Sequence, residues 1–64
     1  MADFFIRHEG TISLLFPESE AAREWVEEHL PDDLLTWAGA AVIEHRYVPD
    51  ILAGIVMDDL TIES

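Results

Sequence analysis

A chain of 64 residues without a single cysteine has to hold itself together with one hydrophobic core, because neither a disulfide nor a thiolate-bound metal can staple it. This one must do so against its own charge. Fourteen carboxylates face three arginines and no lysine, which gives a formal net charge of −11. Half the residues are hydrophobic, so the chain has the core material that an acidic disordered tail lacks. A single small domain over residues 1–64 is expected. The missing cysteines fit a reducing compartment, the stretch from Met1 to Arg7 carries no basic leader followed by an apolar run, and no segment nears the roughly 18 apolar residues of a membrane span. The expected location is the cytoplasm. Direct contact with nucleic acid is disfavoured, since counterion release needs Lys and Arg against phosphates, and an anionic membrane would repel the chain for the same reason.

Residues 2–8 and 11–16 alternate apolar and polar side chains around Glu9-Gly10, which predicts a β-hairpin. A three-residue loop His8-Glu9-Gly10 pairs Ile6 with Ile12 and Phe4 with Leu14, gathers one apolar face, and puts Gly10 at the left-handed position of a bulged hairpin. On the opposite face this register places Phe5, Arg7, Thr11, Ser13 and Leu15. Pro17 stops the second strand. Ser19 can cap a helix from Glu20 to about Leu30, with Ala22, Trp25, Val26, His29 and Leu30 as its buried stripe and Pro31 as its end.

Residues 32–37 read as a connection whose leucines and Trp37 fold back as a lid on the core, and 38–44 as a third strand. Val48, Ile51, Leu52, Ile55 and Val56 match the helical spacing without a miss, and Pro49 fits only the first turn of such a helix. Gly54 lies inside that helix, where it costs about 1 kcal/mol relative to Ala, so a close neighbour is expected there. The helix ends around Met57-Asp58-Asp59, and Leu60-Thr61-Ile62 reads as a final short strand. The expected fold is α+β, order ββαβαβ, a four-stranded sheet with two helices on one face.

Motif chemistry for catalysis is missing. His8, His29 and His45 have no metal-ligand spacing, no Gly-rich loop resembles a phosphate cradle, and no serine sits in a nucleophile elbow. A chain this small also has little room for a water-excluding pocket. We expect no enzyme, no cofactor and no metal. The acidic residues carry more information. Glu20, Glu24, Glu27 and Glu28 occupy the polar arc of the first helix, where neighbours at three- and four-residue spacing stand about 5–6 Å apart, comparable with charges along a nucleic-acid backbone. Asp32 and Asp33 follow that helix, and Asp58 and Asp59 with Glu63 lie near the C-terminus. Solubility needs charge but not a single sign. A partner-binding role is therefore expected for these acids, with Phe5 and Leu15 adding an apolar contact from the hairpin.

Several segments resemble small acidic proteins encoded by phages, prophages and mobile elements of proteobacteria. They are Ile12 to Leu15 followed by Pro17, Glu20 to Pro31, Val42 to Tyr47, and Leu60 to Ile62. Asp59 departs from the helix-ending glycine frequent in such sequences. The resemblance implies a bacterial host cell and an anti-CRISPR-like, DNA-mimicking inhibitor. Such a monomeric protein would bind a basic nucleic-acid-binding surface of a host defence complex, such as a type I CRISPR surveillance complex. The alternative it leaves open is a phage or mobile-element interaction module, a partner of packaging, replication or restriction proteins, that binds through the hairpin face.

Overall fold

The computed structural model describes residues 2–64 and is an α+β fold of five strands and two α-helices. In chain order these are β1 (Phe4–Glu9), β2 (Ile12–Pro17), α1 (Glu20–His29), β3 (Thr36–Trp37), β4 (Ala40–Glu44), a 3-10 turn (His45–Tyr47), α2 (Val48–Met57) and β5 (Ile62–Glu63). The strands form one mixed sheet in the order β3-β4-β2-β1-β5, antiparallel except for the β1–β5 pair. Phe4, Ile6, Leu15, Ala41 and Ile43 from the sheet and Ala22, Trp25, Val48 and Ile55 from the helices make one core, so both helices cover the same face. No helix among the described residues is long and apolar enough to cross a membrane.

Two expectations about the sheet need correction. The fifth strand, β3, lies in the segment read as a connection: Ala38 and Gly39 take φ of 51° and 84°, turning Trp37 back onto Ala40 as a two-residue hairpin. The first hairpin turns at Gly10-Thr11, so that Ile6 faces Leu15 rather than Ile12. Gly10 has φ +64° and Thr11 does not take a positive φ, as a II′ turn requires, with glycine at its first central position. The shift is an odd number of residues, which exchanges the faces of β2. Hydrophobicity could not fix the register because Ile12, Leu14, Leu15 and Phe16 make β2 apolar on both sides; the tight turn decides.

Trp25 joins the layers. Its ring meets Phe4 edge-on at 5.9 Å, stacks on His29 at 4.3 Å, and donates its Nε1–H to Asp58 Oδ2 at 2.7 Å. His29 Nδ1 lies 3.0 Å from the Trp25 carbonyl, which only accepts, so this nitrogen carries the proton. The Trp25 ring also explains Gly54: a Cβ there would lie 3.3 Å from Trp25 Cζ2. Past α2, Asp59 N–H bonds the Val56 carbonyl at 3.0 Å and Leu60 N–H the Ile55 carbonyl at 3.1 Å, the double closure of a Schellman motif. That motif needs a left-handed residue, and Asp59 supplies it at φ 63°.

Asp3 closes the other end. Its carboxylate accepts from the Ser19 hydroxyl at 2.7 Å and from the Thr61 backbone N–H at 3.0 Å, tying the start of α1 to the approach to β5. Ser19 Oγ in turn accepts from Ala22 N–H at 3.0 Å and so caps α1. The Ser19 hydroxyl first, and the Thr61 N–H second, hold the Asp3 carboxyl below its ordinary pKa.

Two measurements test these closures. Asp59→Gly should raise the urea midpoint, adding about 1 kcal/mol by relieving left-handed strain at a residue with a Cβ. A charged group bound in its ionised form stabilises the fold above its unfolded pKa and ceases to do so below its folded one. The thermal stability of the wild type should therefore exceed that of Asp3→Asn at neutral pH, and the difference should vanish as acid takes the pH through the lowered Asp3 pKa. A difference that persists in acid would show that the Asp3 carboxylate is not what ties these segments.

Candidate binding surfaces

Two surfaces can act on a partner, one acidic and one apolar. The acidic surface starts from α1, whose apolar stripe turns Ala22 and Trp25 to the core and leaves Glu20, Glu24, Glu27 and Glu28 exposed. Glu20, Glu24 and Glu28 follow one another at four-residue spacing along one side. Glu24 and Glu28 border a shallow groove with Asp58 from the end of α2, with Trp25 and His29 at its base. Glu27 points to the other flank, where it shares a shallow depression with Asp32. Asp33 and Asp59 are exposed. Asp58 is partly engaged, holding Trp25 and standing 3.6 Å from His29 Nε2.

Two of the three arginines are paired off this helix. Arg7 pairs with Glu9, Arg46 lies 3.5 Å from Glu44, and Arg23 donates to the Glu18 backbone carbonyl at 3.3 Å. Among the described residues, no ion pair within 4.0 Å reaches Glu20, Glu24, Glu27, Glu28, Asp32 or Asp33. Arg23 is the one arginine on this helix, so the charge on this side of the molecule is predominantly negative. Neighbouring like charges on a helix cost a few tenths of a kcal/mol each, which the fold tolerates because these side chains remain in water.

The apolar surface is the sheet face that no helix covers. Register places Phe5 and Arg7 of β1, Ile12, Leu14 and Phe16 of β2, Val42 of β4 and Trp37 of β3 on it. Phe5 stands 6.0 Å from Phe16, ring centre to ring centre. Leu35, Trp37, Val42, Ile12, Leu14 and Arg7 surround an open cleft of about 440 Å³. Trp37 is 60% exposed and Leu35 70% exposed; neither is a lid on the core, a place taken by Leu34.

Phe5 and Leu15, expected to share the outer face, separate. Phe5 is 38% exposed beside Phe16, whereas Leu15 is fully buried between Ile6 and Ala41 on the helix-covered side. The changed register is the cause, and it removes Leu15 from any contact surface. His29 also departs from its place in the buried stripe: its side chain is 44% exposed and lies flat on Trp25. The sequence reading missed Trp37, Leu35, Ile12, Phe16 and Val42 as surface residues. For Ile12, Phe16 and Val42 the signal was present as near-unbroken apolar runs at 12–16 and 40–43, the pattern of strands covered on both faces. Among the described residues no three His, Asp or Glu side chains converge as metal ligands.

In comparisons with known proteins, no family model, no curated protein and no solved structure matches this chain.

The separation of Phe5 from Leu15 can be measured directly. Leu15→Ala should cost about 2–5 kcal/mol, enough to abolish most of the cooperative unfolding of a domain this small, while Phe5→Ala should cost less than about 1 kcal/mol. Urea titration followed by circular dichroism would detect the difference. Equal losses would mean that the hairpin has the other register.

Proposed function

We propose that this chain is a non-enzymatic acidic binding protein that masks a Lys/Arg-rich, nucleic-acid-binding surface of a bacterial protein partner. In the form implied by its resemblance to mobile-element proteins, it is an anti-CRISPR-like inhibitor that acts as a monomer in the cytoplasm on a type I surveillance complex. The observation that carries this reading is the acidic side of α1. Glu20, Glu24 and Glu28 stand in a row on a helix fixed at both ends, Arg7 and Arg46 pair with glutamates off that helix, and Arg23, the one arginine on it, bonds the Glu18 backbone carbonyl and pairs with none of the three. Carboxylates held at roughly 5–6 Å spacing on a helix resemble a phosphate row more closely than carboxylates on a mobile chain. A field of one sign raises the rate of encounter with a basic surface and weakens as salt is added.

A second reading, an interaction module of a mobile element that docks through the hairpin face, is supported by the uncovered apolar side of the sheet. Phe5 keeps its part in that reading and Leu15 loses it. The two surfaces lie on different sides of the molecule, so variants can address them separately.

Competition with labelled duplex DNA on a purified type I surveillance complex is the direct test. The wild type should displace DNA at low salt and lose this ability as salt rises. Glu20→Lys, Glu24→Lys and Glu28→Lys together should weaken displacement by at least about tenfold with an unchanged circular dichroism spectrum. Unaltered displacement by the triple variant would remove α1 from recognition.

A further inference from the structure

The helix-free face of the sheet is built like an interior. Strands covered on both sides carry near-continuous apolar runs, as Ile12 to Phe16 and Ala40 to Ile43 do here, while α1 and α2 cover only one side. On the uncovered side Trp37 and Leu35 stand largely in water at the margin of the 440 Å³ cleft, and the floor beneath them is Leu14, which is buried, with Ile12 and Val42, which are half-buried. Single exposed apolar residues are ordinary, but a contiguous set around a concavity marks a contact site.

We propose that this face seats a basic amphipathic helix supplied by a protein partner, with the apolar stripe of that helix in the cleft and its Lys and Arg side chains on the acidic margin. This rests on the binding-protein reading above, though not on the glutamates of α1. Charge selects the occupant. Register puts Glu9, Glu44 and Glu63 on this face; Arg7 pairs with Glu9 and Arg46 with Glu44, which leaves Glu63 as the local excess, and the whole chain carries −11. A second copy would bring a further −11 to the contact, and an anionic lipid surface would be repelled in the same way, whereas a Lys/Arg-flanked helix is drawn in. Geometry selects its shape. The cleft opens on the face of the sheet and not along its edge, and helices are the usual cover for a sheet face. Five strands at about 4.8 Å spacing span roughly 19 Å, which about 13 helical residues cross.

The probe is a synthetic Leu/Lys amphipathic peptide of about 18 residues, long enough to cross the sheet, beside a Leu/Glu peptide of the same pattern. Calorimetry should show binding of the Leu/Lys peptide alone, with a blue shift of tryptophan emission as Trp37 leaves water. Trp37→Ser should weaken binding by more than about tenfold and abolish the shift, whereas Met57→Ser, at an exposed position on α2, should change neither. Both positions are exposed, so both variants should fold. Failure of the Leu/Lys peptide to bind, or binding indifferent to Trp37→Ser, overturns the proposal. If binding is instead lost on reversing Glu20, Glu24 and Glu28, the occupant lies on α1, and the acidic reading survives without this site. If sedimentation without peptide shows a dimer that breaks on Trp37→Ser, the face is covered by a second copy and the basic-helix assignment falls.

Discussion

The fold depends on where the Trp25 ring lies. It touches the sheet through Phe4, the last turn of its own helix through His29, the body of α2 at Gly54 and the end of α2 through Asp58. A domain of this size gains roughly 3–5 kcal/mol from its core, and truncating one large buried aromatic costs about as much. Three layers are thus registered by one side chain. The apparent misfit of a glycine inside α2 follows from this, since only a residue without a Cβ leaves the ring undisturbed at 3.3 Å. The repulsion among the glutamates of α1 is borne by the same contact, which fixes the helix from below while its outer side stays in water.

Much of this architecture could be read from the residues. Both helices were legible because their signals are local and redundant: Ser19 as cap, Pro31 and Pro49 as boundaries, and apolar positions at helical spacing. The association of Gly54 with a close neighbour was legible too, although not which neighbour. The sheet was less so. Alternation specifies register only where one face is polar, and in β2 both faces are apolar, so a turn of two residues outweighed a pattern that permitted either choice. β3 escaped notice because its turn uses Ala38 in a left-handed conformation, where asparagine or glycine would have announced a hairpin.

The same ambiguity concealed half of the candidate surface. An unbroken apolar run is compatible with an alternating strand when only its best-matching positions are counted, and Phe5 with Leu15 became a patch on that count. The acidic residues were easier, because exposure of a helix's polar arc does not depend on how the sheet is registered. What the residues could not convey is the relation between the two features. The acidic side of α1 and the apolar side of the sheet lie on different sides of the molecule, so charge can govern approach at one while dehydration governs contact at the other.

The sheet ends in very short strands on both sides, β3 on one and β5 on the other, each two residues long. Unpaired backbone on a long, flat margin is the template from which ordered fibrils propagate, and central strands as rich in β-branched and aromatic residues as these would be hazardous if one of them lay outermost. Here β2, the most apolar of them, is enclosed, paired with β1 on one side and over Ile12–Leu15 with β4 on the other. The strand best suited to template a fibril is thus the one whose backbone is already spoken for on both sides.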